Sequence, residues 1–231
     1  MQHEERVLTE DGSHTLVNDR FAVPYHSTHG AITESQHVFI KYGLLPALAA
    51  VRDRPVRILE MGFGTGLNAL LTVMEVGREA YTDQSVEYFT YEAYPVTEET
   101  VLQLNYPAQL NIDPSAFLPL HRAEWEKRVA ITENFFLEKF RRDFIRDGQR
   151  SYAAGSIDVI YYDAFAPSSQ PEFWEGEALA VAFRALRPGG WLTTYCAQGQ
   201  FKRNLRATGF LVEGVPGPPG KREMTIARKP E

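Results

Sequence analysis

The sequence predicts an α/β protein of the Rossmann-like class, with a seven-stranded, mostly parallel sheet flanked by helices and an N-terminal extension in front of it. Three observations carry that expectation. From Val56 onward, short apolar or alternating runs take turns with helix-period runs, the pattern of a parallel sheet whose crossovers are helices. The run Arg57-Ile58-Leu59-Glu60-Met61-Gly62-Phe63-Gly64-Thr65-Gly66-Leu67-Asn68 is an apolar strand that turns through three glycines straight into a helix. Further on, Arg187-Pro188-Gly189-Gly190 stops a helix and turns into the strand Trp191-Leu192-Thr193-Thr194-Tyr195. At 231 residues and 44% hydrophobic, the chain has material for one full core. It divides into residues 1–55, an extension ending in a docking helix, and residues 56–231, the sheet domain.

Taken in order, the extension is rich in polar and aromatic groups, with Thr9-Glu10-Asp11-Gly12-Ser13-His14-Thr15-Leu16 followed by Tyr25-His26-Ser27-Thr28-His29-Gly30-Ala31. Material of this kind folds over the mouth of a pocket and excludes water. A helix over 34–50 presents Val38, Ile40, Leu44, Leu45 and Leu48 to the sheet. Strands are expected at 56–62, 85–92, 127–132, 157–163, 190–196, 209–215 and 222–228, and helices at 66–79, 97–111, 134–147, 172–187 and 199–208. The last two strands flank Gly214-Val215-Pro216-Gly217-Pro218-Pro219-Gly220 and read as an antiparallel hairpin with a long, stiff tip.

The glycine turn marks a nucleotide-cofactor site, because glycines let the backbone approach a ligand closely and the helix beyond offers unpaired N–H groups. No Lys-Ser or Lys-Thr follows Gly66, which excludes a triphosphate-binding loop. The glycines fall as Gly-x-Gly-x-Gly rather than the Gly-x-Gly-x-x-Gly of dinucleotide folds, and an acid, Glu60, precedes them. This pattern resembles the first motif of class I S-adenosylmethionine-dependent methyltransferases, in which an acid before the turn suits the ammonium of the cofactor's amino-acid tail. The alternating run Ser85-Val86-Glu87-Tyr88-Phe89-Thr90-Tyr91-Glu92 ends in an acid placed to take both ribose hydroxyls. The fourth strand, Ile157-Asp158-Val159-Ile160-Tyr161-Tyr162-Asp163, brings Asp163 to the same edge, with Phe165 and Pro167 shaping the loop beyond it.

Methyl transfer from a sulfonium needs no acid for its leaving group, so the enzyme mainly aligns a neutral lone pair with the methyl group. An alkylamine with a pKa of roughly 10 must first lose its proton at neutral pH. Asp163 is the candidate acceptor that orients the amine, and Phe165 or Trp174 the candidate to stack on a planar base.

Composition narrows the setting. No apolar run is long enough to span a membrane, and the opening Met1-Gln2-His3-Glu4-Glu5-Arg6 lacks the build of a secretion signal. With one cysteine, Cys196, no disulfide or thiolate metal site is expected, in keeping with a reducing cytoplasm. His26-x-x-His29 lacks further ligands at a zinc interval apart from Glu34, so no metal is expected. A net charge of −6 argues against indiscriminate nucleic-acid binding. Charge is nonetheless uneven: from Phe201 to Glu231, seven basic residues (Lys202, Arg203, Arg206, Lys221, Arg222, Arg228, Lys229) face three acids, and Lys139, Arg141, Arg142, Arg146 and Arg150 form a second cluster. Such clusters take phosphates locally or are simply solvated helix faces.

Together, Glu60-Met61-Gly62-Phe63-Gly64-Thr65-Gly66-Leu67-Asn68, Tyr162-Asp163-Ala164-Phe165-Ala166-Pro167 with Phe173-Trp174, Tyr25-His26-Ser27 with Glu34-Ser35-Gln36-His37-Val38-Phe39-Ile40, and Lys221-Arg222-Glu223-Met224 resemble the MnmC-type methyltransferases over nearly the whole chain. The Pro-Gly-Gly before the fifth strand is shared with methyltransferases of this class. The resemblance implies S-adenosyl-L-methionine as cofactor, and as substrate the aminomethyl group of a modified wobble uridine in the tRNA anticodon loop, giving 5-methylaminomethyl-2-thiouridine. It implies a cofactor site of Glu60, Gly62, Phe63, Gly64, Gly66, Asn68, Glu92 and Asp163. Tyr25, Ser27 and Glu34 are implied to line the cofactor or substrate pocket, and Lys221 and Arg222 to meet the tRNA backbone. Glu133 and Asn134, where the family class has a Gly-Asp-like pair, are expected to reach the adenine amino group. Some members of the family are fused to a flavin-dependent oxidase; this chain is expected to be the stand-alone form, with a separate flavin-dependent enzyme supplying the amine. Two other readings share the pocket: a small-molecule amine methyltransferase or aminopropyltransferase, which calls for additional acids, and a non-catalytic tRNA-binding module.

Overall fold

The computed structural model describes residues 5–18, 23–148 and 152–231. Its centre is an eight-stranded sheet in the order β10-β11-β9-β8-β4-β5-β7-β6, formed by β4 (Val56–Met61), β5 (Val86–Tyr91), β6 (Arg128–Thr132), β7 (Phe135–Phe140), β8 (Ile157–Tyr162), β9 (Leu186–Thr194), β10 (Leu211–Pro216) and β11 (Glu223–Arg228). The five middle strands run parallel, while β6 at one edge and the β10–β11 hairpin at the other are antiparallel. Strands β5 and β8 are buried along their whole length, which is why they read as nearly unbroken apolar and aromatic runs rather than as half-wet alternation. After β4 the chain adds β5 and β7 on one side, then crosses to place β8 on the other. The crevice between β4 and β8 is therefore the switch point where a ligand is expected in such a sheet.

Two parts of the chain depart from the sequence expectation. Segment 127–132 is not the third parallel strand but the antiparallel edge β6, and the helix expected over 134–147 does not form. Phe135-Phe136-Leu137-Glu138-Lys139-Phe140 becomes β7 and pairs in parallel with β5, followed by a short helix, Phe144–Asp147. The reason is tertiary: Phe135 and Leu137 are fully buried, and Phe135 packs against Tyr88 with ring centroids 5.5 Å apart. The sheet thus has eight strands rather than seven. The expected helix 97–111 is broken into Glu98–Val101 and Tyr106–Gln109, because Asn105 leaves helical geometry and Pro107 opens a new first turn.

Ahead of the large sheet, β1 (Glu5–Leu8), β2 (His14–Asn18) and β3 (Val23–Pro24) form a small antiparallel sheet. A helical run over 31–50 follows, π-wound over Gln36–Leu44, with Leu45 N–H donating to Ile40 O five residues back. It buries Val38, Phe39, Ile40, Leu44, Ala47 and Leu48 in the core on one face of the sheet. Thr193 Oγ1 donates to Val38 O at 2.9 Å and Trp191 Nε1 to Tyr42 O at 3.1 Å, so the run is pinned across β9. On the other face, Gly176–Ala185 and Gly199–Thr208 cover a second core that holds Trp174 and Cys196.

Candidate active site

A cleft of about 300 Å³ opens over the C-terminal ends of β4, β5, β7 and β8. Its floor is the glycine turn, where Gly62, Gly64 and Gly66 all have positive φ. Glu92, just past β5, accepts Gly64 N–H at 2.9 Å and Tyr94 N–H at 2.8 Å. Its carboxylate is thereby pinned to the turn at the edge of the cleft. Tyr25 stands over Gly64 and meets Phe165 edge-on, with ring centroids 4.9 Å apart, so the extension and the loop after β8 roof the cleft together.

Thr65 locks the turn from behind. Its hydroxyl accepts from Tyr106 at 3.2 Å, which leaves its own proton for His26 Nε2 at 2.9 Å, and its carbonyl accepts from His121 Nε2 at 3.1 Å. Both imidazoles are neutral, because burial lowers each pKa to about 4. His26 and His29 do not converge: His29 turns outward to Glu10 at 3.0 Å, and among the described residues no cluster of metal-ligating groups occurs.

Asp163 lies in the cleft wall and accepts from Asn68 Nδ2 at 2.8 Å. Loss of hydration raises its pKa to about 7, with Asn68 pulling it down, Glu34 pushing it up and Lys221 pulling it down. Beyond it, Phe165 N–H donates to Gln170 Oε1 at 3.1 Å and Phe165 O accepts Trp174 Nε1–H at 2.8 Å. The loop carrying Asp163, Phe165 and Pro167 is thus held to a rigid base.

Several expected site residues stand elsewhere. Glu133 and Asn134 sit at the opposite end of the sheet: Asn134 O accepts from Val86 N–H at the start of β5, and Asn134 Nδ2 donates to Val76 O. They do not reach an adenine in the cleft. Trp174 is 2% exposed, wedged among Tyr162, Tyr195 and Phe201, so it supports the loop and has no face for a base. Glu60 is sealed beneath the turn at 0% exposure, not open to the cleft. Ser27 lies one residue behind the cleft wall, where its N–H donates to Glu34 Oε1 at 3.0 Å. Lys221 is not free for RNA: its ammonium is 2.6 Å from Glu34 Oε2 and 4.1 Å from the Tyr195 ring centroid. Arg222 is exposed.

The basic clusters are likewise largely engaged. Lys139 is 1% exposed and donates to His121 O, Arg142 pairs with Glu126 at 2.6 Å, Lys202 pairs with Glu223 at 2.7 Å, and Lys229 caps Phe183 O and Leu186 O. Arg150 lies outside the described residues. Cleft residues that the sequence reading missed include Arg142, Asp143, Phe144 and Arg146 from the end of β7, Tyr94 after β5, and Gln170 and Glu172 after β8. Asp143 caps its short helix by accepting from Ile145 and Arg146 N–H. The signal is in the sequence, since Asp143 follows an alternating strand as Glu92 does, but the third parallel strand lies one segment later than expected, at Phe135–Phe140.

A parallel sheet with this switch-point cleft, three positive-φ glycines under it and an acid at the next strand end defines a class I S-adenosyl-L-methionine-dependent methyltransferase. The profile of the S-adenosyl-L-methionine-dependent methyltransferase family Methyltransf_30 matches residues 125–230. The chain is 32% identical over 235 residues to the tRNA 5-methylaminomethyl-2-thiouridine biosynthesis bifunctional protein MnmC of Cupriavidus metallidurans, covering 97% of this chain and 34% of that protein. It is 31% identical to the same protein of Cupriavidus necator, covering 96% of this chain and 34% of that one. The crystal structure of MNMC2 from Aquifex aeolicus superposes with a TM-score of 0.80 at 25% identity, over 100% of this chain and 73% of that one. A probable spermidine synthase from Corynebacterium glutamicum shares the fold, with a TM-score of 0.52 at 17% identity over 97% of this chain and 75% of that one. The chain is similar over nearly its whole length to MnmC proteins and to MNMC2, and it spans about a third of the length of the curated relatives it matches.

Proposed function

We propose that this chain methylates the aminomethyl group of a modified wobble uridine in tRNA, forming 5-methylaminomethyl-2-thiouridine, with a flavin-dependent oxidation supplying the amine. The observation that carries the reading is Asp163: a carboxylate in the wall of the cleft, anchored by Asn68 and raised in basicity by its surroundings, facing the space above the glycine turn. The names of the relatives supply the RNA, and the site supplies the chemistry.

The residues present suit S-adenosyl-L-methionine. The cleft volume lies at the lower end of the range for small-molecule sites, and a Cβ on Gly64 would come within 3.1 Å of Tyr25, so the space between turn and roof is kept open only by the missing side chain. When bound, the cofactor supplies a methyl group activated by a sulfonium. In this reading the glycine turn holds its amino-acid tail, Glu92 its ribose, and Asp143 with Phe144 its base. Tyr25 and Phe165 exclude water from above.

Asp163 accepts one N–H of the incoming amine at its carboxylate and aims the nitrogen lone pair into the cleft. A carboxylate with a pKa near 7 is better matched to taking a proton at neutral pH than an exposed aspartate is. Phe165 packs against the planar uridine. Glu34, behind the cleft wall, is paired with Lys221 and is not available to a second amine. Arg222, exposed in the loop that carries Lys221, meets the RNA backbone, and the extension 1–55 forms the cover over the cofactor. Incubating the purified protein with S-adenosyl-L-methionine and tRNA that carries aminomethyl-2-thiouridine tests the reading. Conversion to the methylaminomethyl nucleoside by mass spectrometry is the expected result; methyl uptake by free amines with none by that tRNA would overturn it.

A further inference from the structure

Glu60 is a carboxyl that the cofactor reading leaves unused. It is 0% exposed, and neither of its oxygens has a hydrogen-bond partner. Its surroundings contain no cation among the described residues. Tyr88 and Thr90 face it from β5, Asp163 and Tyr161 from β8 and its end, and Asn68 from the helix Leu67–Val76. An isolated ionised carboxylate sealed from water is costly, so such a group keeps its proton instead. Burial raises the pKa of Glu60 to about 8 against the pull of Thr90; Asp163 adds to the rise, and Asn68 and Tyr88 draw it down.

Asn68 completes the arrangement. It is 3% exposed, its Nδ2 donates to Asp163 Oδ2 at 2.8 Å, and its Oδ1 is buried without a donor. An ionised Glu60 would draw one Asn68 N–H to itself while the other serves Asp163, and would leave the buried Asn68 Oδ1 with no donor. A protonated Glu60 has the opposite effect, because its O–H can answer Asn68 Oδ1, the only carbonyl among the unpartnered polar atoms around it.

We propose that Glu60 is a positioning residue that works as a neutral carboxyl, donating its proton to Asn68 Oδ1 and thereby turning the Asn68 amide N–H towards Asp163. A small rotation of side chains already in contact closes the set, with Tyr88 and Thr90 hydroxyls left to serve the remaining Glu60 oxygen. Glu60 therefore acts on the amine at one remove and does not bind the cofactor's ammonium. The inference rests on the reading of Asp163 as the amine acceptor.

The test compares Glu60→Gln, which keeps a neutral donor of the same shape, with Glu60→Ala, which removes it. With E60Q, the affinity for S-adenosylhomocysteine by calorimetry and the rate of methyl transfer each stay within about threefold of the parent, and the acid limb of the pH–rate profile stays in place. With E60A, kcat falls by about tenfold or more at little change in cofactor affinity, and the acid limb moves to higher pH as Asp163 loses its donor. Infrared spectroscopy at neutral pH provides an arm that needs neither RNA nor a foldable alanine variant: with the Asp163 carboxyl removed, a protonated-carboxyl band persists in Asp163→Asn and disappears in the double variant Asp163→Asn with E60Q. A loss of S-adenosylhomocysteine affinity beyond about tenfold in E60Q would make Glu60 an ionised cofactor ligand and overturn the proposal. So would absence of the Glu60 band. If the parent enzyme left tRNA unmethylated, the substrate reading would fail on its own, and the infrared and calorimetric arms would still decide Glu60.

Discussion

Replacing Gly64 by valine probes the cradle directly. Gly64 has a φ of +48°, a region that costs an L-residue about 1–2 kcal/mol. Its new Cβ would stand 3.1 Å from Tyr25 Cδ1 and 3.3 Å from Cε1, and Tyr25 can retreat only by giving up its edge-on contact with Phe165. Overpacking of that kind costs about 1–3 kcal/mol more. The total of about 2–5 kcal/mol divides between the free fold and the bound state. The expected result is a melting point lower by about 4–12 °C for a chain of this size, and S-adenosylhomocysteine affinity by calorimetry at least about tenfold weaker, which is 1.4 kcal/mol or more. The double variant Tyr25→Ala with Gly64→Val removes the ring that the methyls strike and should recover part of the affinity, with a coupling of about 0.5–3 kcal/mol. Parental affinity in Gly64→Val, or losses that simply add in the double variant, would refute the idea that the cofactor lies between turn and roof.

Asp163→Asn should lower methyl transfer by about a hundredfold or more while leaving S-adenosylhomocysteine affinity within about threefold; near-parental turnover would remove Asp163 from the chemistry. In the parent, activity should rise with pH through about 7 as the Asp163 carboxyl ionises, and a profile flat from pH 6 to 8 would contradict that role. His26 and His121 are held neutral down to about pH 4, whereas in the unfolded chain they take a proton near 6.5. Their contribution to stability is therefore full above pH 6.5 and is lost as pH falls towards 4, a slope that urea titrations at stepped pH should show and that His26→Gln should reduce. Lys221→Met should destabilise the fold by about 1–3 kcal/mol, less than a fully buried pair because Lys221 is partly exposed. It should leave the salt dependence of tRNA binding nearly unchanged, whereas Arg222→Glu should weaken binding more at low salt than at high salt; the reverse pattern in gel shifts would return Lys221 to the RNA surface.

The parts of this protein legible in its sequence are those encoded over a few consecutive residues. The Gly62-Phe63-Gly64-Thr65-Gly66 turn, the acid Glu92 closing an alternating strand and Asp163 closing another are local patterns, and they converge because parallel strands end on one edge whatever their neighbours. Tyr25 was accessible only through resemblance, since nothing in its immediate sequence says that it folds over Gly64. Residues 135–140 show the limit: with three phenylalanines, a leucine and two charged residues, the run suits a helix or a strand, and the choice was made by Tyr88 and the edge of β5. That single shift carried Glu133 and Asn134 to the far end of the sheet and brought Asp143 to the cleft in their place.

By itself, then, the sequence determined the class of fold, the cofactor turn and the carboxylates at the strand tips, because backbone geometry and strand polarity are set by near neighbours. Only the tertiary structure decided which charges are free to act. Glu60, Lys139, Trp174 and Lys221 have the chemistry of ligand-binding residues, but each is enclosed by groups distant in sequence, and enclosure settles whether a carboxyl keeps its proton, an ammonium meets solvent or an indole has a face to offer.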